Sequence, residues 1–214
     1  MNLKDAVDLA RNIKSIPDRR PVWYKKLPSA SDDTALYYKY FYELSHKFAP
    51  PFVLEIGTYL GSSSAHLASN DLVKVVTIDI NSDATKEVQR FQFSNICALT
   101  IDVNLYTKQL NDEKTGEIYD VLFIDANHTF NDMYGQYVML RPFVKNGGLI
   151  FFDDIHINPS TKDMDVAWGY VLDPKADISE LHYTGFGVCQ KDSSIQVPAW
   201  TEIIAEATSK MNLG

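Results

Sequence analysis

From Phe52 onward the chain alternates two hydrophobic rhythms. Short runs that are apolar at every position, such as Val121-Leu122-Phe123-Ile124 and Leu149-Ile150-Phe151-Phe152, are separated by longer stretches whose apolar residues recur every three or four positions. Runs without a polar face belong to strands covered on both sides, and the three-to-four spacing belongs to helices with one buried stripe. The pattern predicts strands over 52–56, 73–78, 96–101, 119–125 and 148–153, with helices near 61–69, 83–93, 104–110 and 130–144. A helix started by Ser160 or Thr161 then runs through Trp168 and Val171, and strand-like segments follow at 178–183 and 186–190. After Pro198, a last amphipathic helix carries Trp200, Ile203, Ile204, Ala207 and Met211. This alternation predicts an α/β fold, a doubly wound, Rossmann-like, mostly parallel seven-stranded sheet with an antiparallel edge hairpin.

The first 50 residues have a different rhythm. Leu3, Ala6, Val7, Ala10 and Ile13 repeat at helical spacing, and Pro17 and Pro21 then interrupt a connector carrying Arg19, Arg20, Trp23, Tyr24, Lys25 and Lys26, which ends near Pro28. Ser31 or Asp32 is placed to cap a second helix with Tyr37, Tyr40, Phe41, Leu44 and Phe48 on one face, stopped by Pro50-Pro51. The expected organisation is a helical extension over 1–50, placed to act as a lid or to supply ligand or homodimer contacts, followed by one domain over 51–214.

Composition narrows the partners. A net charge of -8 opposes binding to nucleic-acid phosphates, so a small-molecule acceptor is the expected partner. No apolar run approaches the roughly 20 residues that cross a bilayer, and no export signal is seen. Cys97 and Cys189 form no C-x-x-C pair and sit in apolar strand-like segments, which predicts buried free thiols and a cytoplasmic setting.

The chemistry is concentrated where strands end, because parallel strands open their carboxyl ends on one crevice. The first turn reads Glu55-Ile56-Gly57-Thr58-Tyr59-Leu60-Gly61-Ser62-Ser63. Its glycines allow a close backbone approach to a nucleotide, but Tyr59 stands where a G-x-G-x-x-G dinucleotide motif needs glycine, and Glu55 would repel a pyrophosphate. An anion there favours a cationic sulfonium, so S-adenosylmethionine is the expected ligand. Asp79, with Ile80 beside it, ends the second strand and is placed for the ribose hydroxyls. Asp102 or Asn104, after the third, can meet the adenine amino group or cap the next helix. Asp125, Asp153 and Asp154 end the next two strands and should converge; either a divalent cation such as Mg²⁺ relieves their repulsion, or only Asp125 faces the pocket while Asp153 and Asp154 cap the next turn without a metal. His128, three residues after Asp125, is the candidate general base, with His156 in reserve. His46, His66 and His182 are read as structural, and Trp168, Tyr134 and Tyr137 as packing residues that could also line an acceptor pocket.

Taken together, the Glu55–Ser63 turn, Asp79, Ile124-Asp125-Ala126-Asn127-His128 and Gly147-Gly148 through Asp153-Asp154-Ile155 resemble the class I S-adenosylmethionine-dependent methyltransferases. The Asp-x-x-His element with its later paired acids is similar to the metal-dependent O-methyltransferases that act on macrolide sugars, although Asp153 stands where those relatives often carry Glu. The resemblance implies Asp125, Asp153 and Asp154 as metal ligands, His128 as base, and methyl transfer to an oxygen. An N-methyltransferase without metal, or an NAD-dependent oxidoreductase on the same fold, are the alternatives.

Overall fold

The computed structural model describes residues 1–27, 36–157 and 162–212. Helices α1 (Leu3–Asn12) and α2 (Tyr37–Phe48) precede an alternation of β1 (Phe52–Ile56), α3 (Ser62–Leu67), β2 (Lys74–Asp79), α4 (Ser82–Arg90), β3 (Ile96–Thr100), α5 (Val103–Asp112), β4 (Tyr119–Ile124), α6 (Phe130–Leu140) and β5 (Val144–Asp153). The chain finishes with α7 (Asp163–Tyr170), β6 (Lys175–Asp177), β7 (Phe186–Gln190) and α8 (Trp200–Asn212). The strand order is β3-β2-β1-β4-β5-β7-β6, parallel from β3 to β5, with β7 antiparallel to both of its neighbours. This is the sheet that the hydrophobic rhythm predicts.

The continuous apolar strands have a direct cause. Alternate residues point to opposite faces, and each face meets its own layer of helices. Val53, Val121, Phe123 and Phe151 pack with α1, α2 and α3, whereas Leu54, Leu122, Ile150 and Phe152 pack with α5, α6, α7 and α8. The stripe on α2 is core as expected, with Phe41 edge-on to Phe123 at 4.9 Å between ring centroids. Local chemistry sets the helix starts: Asn2 and Asp5 form a capping box on α1, Asn81 caps α4, Asp102 caps α5 and Thr129 caps α6.

Four expectations are corrected. The edge strand covers 175–177 rather than 178–183, because Asp177 accepts hydrogen bonds from the Ser179 backbone and hydroxyl and turns the chain into a 3-10 turn, Ser179–Leu181. Helix α6 stops at Leu140 and β5 begins at Val144, since Pro142 sits in a 3-10 turn and cannot continue the helix ladder. Cys97 is exposed, because β3 is an edge strand with one paired side, whereas Cys189 is buried as expected. His182 belongs to the site described below. The expected helix caps Ser31, Asp32, Ser160 and Thr161 lie outside the described residues, as does Pro28.

The basic connector is tied down. Arg19 pairs with Glu43, and Arg20 binds Asp18 while its Nη1 lies 3.4 Å from His66 Nε2. His66 is fully buried, its Nδ1 2.6 Å from the Ser62 carbonyl oxygen, and burial drives its pKa down to about 4. The unfolded ring titrates near ~6.5, so between that pH and about 4 the unfolded chain binds more protons. This contribution is present in full above the unfolded value and falls by about 3 kcal/mol as the pH drops to the folded one. Denaturation at pH 7 and pH 5 should show His66→Gln losing about 2 kcal/mol less than the parent over that interval. Parallel pH slopes would show that the ring is protonated in the fold.

Candidate active site

The sheet reverses its winding between β1 and β4, and the crevice outside their carboxyl ends holds a cavity of about 830 Å³. Gly57 makes the crevice possible. It has φ +92°, and a Cβ there would lie 1.7 Å from the Asp125 carbonyl oxygen, so the turns after β1 and β4 touch backbone to backbone. Gly61 (φ +73°) opens α3, and Tyr59 between them is itself left-handed, at φ 44°, with its ring exposed at the cavity rim.

Asp79 closes the next part of the wall. Its Oδ2 accepts from the Thr58 and Tyr59 amides at 3.0 and 3.1 Å, and its Oδ1 from Asn81 N at 2.8 Å. Ile80 follows, 74% exposed beside the cavity. Asp102 also lines the cavity, with its Oδ1 capping α5 through the Asn104 amide at 2.8 Å.

Glu55 is placed differently from the other turn residues. It is fully buried behind the glycine turn, accepts hydrogen bonds from the Ser63 and Ser64 hydroxyls, and is not part of the main cavity wall. Burial raises its pKa against those hydrogen bonds. Gly57, Thr58, Tyr59, Gly61, Ser62 and Ser63 surround a smaller adjoining crevice with Asp125. The carboxyl groups that do face the cavity include Asp79, Asp102, Asp125, Asp153 and Asp154. No Lys or Arg among the described residues lines it.

The acids beyond β4 and β5 converge with two histidines. Asp125, His128 and Asp154 form one group with candidate donor atoms within 4.8 Å of one another, and Asp153, Asp154 and His182 form a second. His128 Nε2 lies 2.7 Å from Asp154 Oδ2, and His182 Nδ1 lies 2.8 Å from Asp153 Oδ1. Asp154 is held at φ 56° and also accepts from the Thr184 hydroxyl. Burial, with the charges of Asp153 and Asp154, pushes Asp125 far above the usual carboxylate range, and burial pushes Asp153 up as well. For Asp154 the hydrogen bonds from His128 and Thr184 outweigh burial and hold it low. His128 is raised by its bond to Asp154. Carboxylates so close that burial drives them toward protonation, joined by imidazoles, fit a divalent cation.

The reserve base His156 is elsewhere, bridging Asp165 at 2.6 Å and Asp177 at 2.8 Å outside the cavity. Trp168, Tyr134 and Tyr137 pack in the core and do not line the cavity. His182, read from the sequence as structural, stands in the acidic cluster because β5 and β7 pair antiparallel, with Asp153 opposite Phe186. That pairing swings the segment before Phe186 over the end of β5. Tyr37 and Tyr38 of α2 and Gln136 of α6 also line the cavity, though no motif marks them.

A family model described as a methyltransferase domain matches residues 54–155. The region matched runs from within β1 to just past the end of β5 and includes Glu55, Asp79, Asp102, Asp125, Asp153 and Asp154. The chain shares 28% identity over 132 residues with a probable caffeoyl-CoA O-methyltransferase 1 from Dictyostelium discoideum, covering 58% of this chain and 52% of that protein. The chain thus spans about half the length of the curated relatives it matches. Among solved structures, an O-methyltransferase from Bacillus cereus in complex with SAH superposes with a TM-score of 0.65 at 17% identity, covering 88% of this chain and all of that one. TomG from Streptomyces achromogenes, an O-methyltransferase of tomaymycin synthesis in complex with SAM, gives 0.65 at 16% identity over 90% of this chain and 100% of its own. The chain shares the Rossmann-like fold of these structures.

Proposed function

We propose that the chain transfers a methyl group from S-adenosylmethionine to an oxygen of a small-molecule acceptor, with a divalent cation held by Asp125, Asp153 and Asp154. The observation that carries this reading is one cavity in which the glycine turn and Asp79 face the acid-histidine cluster. A nucleoside bound against Asp79 would direct its sulfonium end to that cluster. The relatives named as O-methyltransferases support oxygen as the methyl acceptor.

The reaction is an in-line displacement. An acceptor oxygen forms a bond to the methyl carbon as the carbon–sulfur bond breaks, its electron pair returns to sulfur, and S-adenosylhomocysteine leaves. When bound, a divalent cation supplies Lewis-acid polarisation that makes a hydroxyl easier to ionise. His128, oriented by Asp154, is placed to receive the acceptor's proton. Tyr37 and Tyr38 supply part of the wall from α2, which agrees with an N-terminal extension over 1–50 that helps shape the acceptor end of domain 51–214. Among the described residues no helix is long and apolar enough to cross a membrane, and the unpaired cysteines suit a reducing cytoplasm.

A melting scan tests the cosubstrate. Binding stabilises by RT ln(1 + [L]/Kd), about 2.7 kcal/mol at a hundredfold excess, which for a chain of this size is a rise of about 5–10 °C. S-adenosylhomocysteine should produce it and NAD should not. A rise with NAD alone would return the domain to the oxidoreductases.

A further inference from the structure

We infer that His182 is a further ligand of the cation proposed above, and that its imidazole turns the site from a hard ion such as Mg²⁺ toward a first-row transition ion such as Co²⁺ or Zn²⁺. The inference rests on the methyl-transfer reading and adds to it a residue outside the carboxylate motif. His182 Nδ1 faces three oxygens: Asp153 Oδ1 at 2.8 Å, the Thr184 hydroxyl at 3.0 Å and Asp154 Oδ1 at 3.5 Å. The two acids and His182 form one donor group, whereas Asp125 meets Asp154 and His128 in the other. Neighbouring ligand atoms around an ion with bonds of about 2.0–2.2 Å stand about 2.8–3.6 Å apart, whether the arrangement is octahedral or tetrahedral. The separations of Nδ1 from both carboxylates fall in that range.

The fold delivers this ring and holds it. β7 runs antiparallel to β5 with Phe186 opposite Asp153, and the 3-10 turn Ser179–Leu181 leads into His182 just before that strand. The imidazole stands edge-on to Tyr37 at 5.3 Å between ring centroids, and the side chain is 13% exposed. His128 is more open and meets the other oxygen of Asp154, Oδ2, so the two imidazoles approach that carboxylate through different atoms. His128 keeps the role of base, and His182 lies on the side that Asp153 shares. Carboxylates alone suit hard cations. An imidazole nitrogen is a softer donor and favours the later first-row ions, whose affinities for such sites rise from Mn²⁺ toward Cu²⁺.

Calorimetric titration of the full chain with Co²⁺ and with Mg²⁺, beside a His182→Gln chain, tests the inference. Glutamine keeps an amide N–H for Asp153 and offers a carbonyl oxygen, which serves Mg²⁺ but is not the nitrogen that Co²⁺ prefers. The substitution should weaken Co²⁺ binding at least about tenfold and Mg²⁺ binding less than about threefold. In the Co²⁺-loaded parent, a ligated imidazole carries its exchangeable N–H proton far outside the ordinary NMR window, and His182→Gln should abolish one such signal. Should the glutamine variant fail to fold, the Co²⁺-loaded His128→Gln chain, whose cluster retains the His182 imidazole, must still show it. Equal losses for the two ions overturn the inference, as does a parent without a shifted ring signal, since His182 would then only orient Asp153 by a hydrogen bond. A parent that binds neither ion removes the cation and the ligand role with it. S-adenosylhomocysteine binding measured in the same chain then shows separately whether the methyl-transfer reading stands.

Discussion

Methyl transfer by a His128→Gln chain should fall about 10²–10⁴-fold, the range for loss of a general base, while S-adenosylhomocysteine still binds with the parent's affinity. The side chain is 40% exposed and its Nε2 lies 2.7 Å from Asp154 Oδ2, so little of the fold depends on it. Glutamine can still hydrogen-bond to Asp154 but does not accept a proton near neutral pH, and this separates holding the carboxylate in place from moving the proton. Single-turnover transfer to a catechol or sugar hydroxyl, read beside calorimetric binding, distinguishes the two. Retained transfer would move the proton to another group of the cluster, and His182 is the imidazole at hand. A parallel loss of binding would instead mean that His128 shapes the cosubstrate site.

The parallel half of the sheet was legible because both its faces are covered: Leu149 through Phe152 is apolar at every position since its side chains feed two different cores. The carboxylates Asp79, Asp125, Asp153 and Asp154 were legible for a related reason, because polar residues that end such strands have only the crevice to enter. What escaped depends on pairing between distant segments. His182 reaches the acids because β7 runs antiparallel beside β5, and the short 3-10 turn that replaces the expected strand sets its position. Gln136 is one polar position on an amphipathic helix, and nothing in its spacing says that it lines a cavity. Glu55 shows the converse. Its type and place in the turn are those of a ligand-facing anion, but Ser63 and Ser64 in the first turn of α3 enclose it, a contact that residue order alone does not reveal.

Gly57→Ala should destabilise the fold by about 2–5 kcal/mol, the sum of a left-handed backbone cost of about 1–2 kcal/mol and an overpacking cost of about 1–3 kcal/mol. The added Cβ would lie 1.7 Å from the Asp125 carbonyl oxygen, 2.6 Å from its carbonyl carbon and 3.1 Å from Ala126 Cα, all of them backbone atoms. No side chain can rotate away, so the turns after β1 and β4 would have to part. Gly61 has a milder surrounding. Its Cβ would meet Val88 Cγ2 at 2.4 Å, a side-chain atom, and the loss there should be smaller. Gly135 supplies the opposite sign, since it lies inside α6 with nothing within 4 Å of an added Cβ, and alanine there should stabilise by about 0.5–1 kcal/mol. Urea denaturation of the three variants at constant slope measures the series, and titration with S-adenosylhomocysteine shows whether the Gly57 variant also loses its ligand. A Gly57→Ala midpoint within error of the parent, with ligand affinity intact, would mean that the two turns are not in backbone contact and that the crevice is held open by other residues.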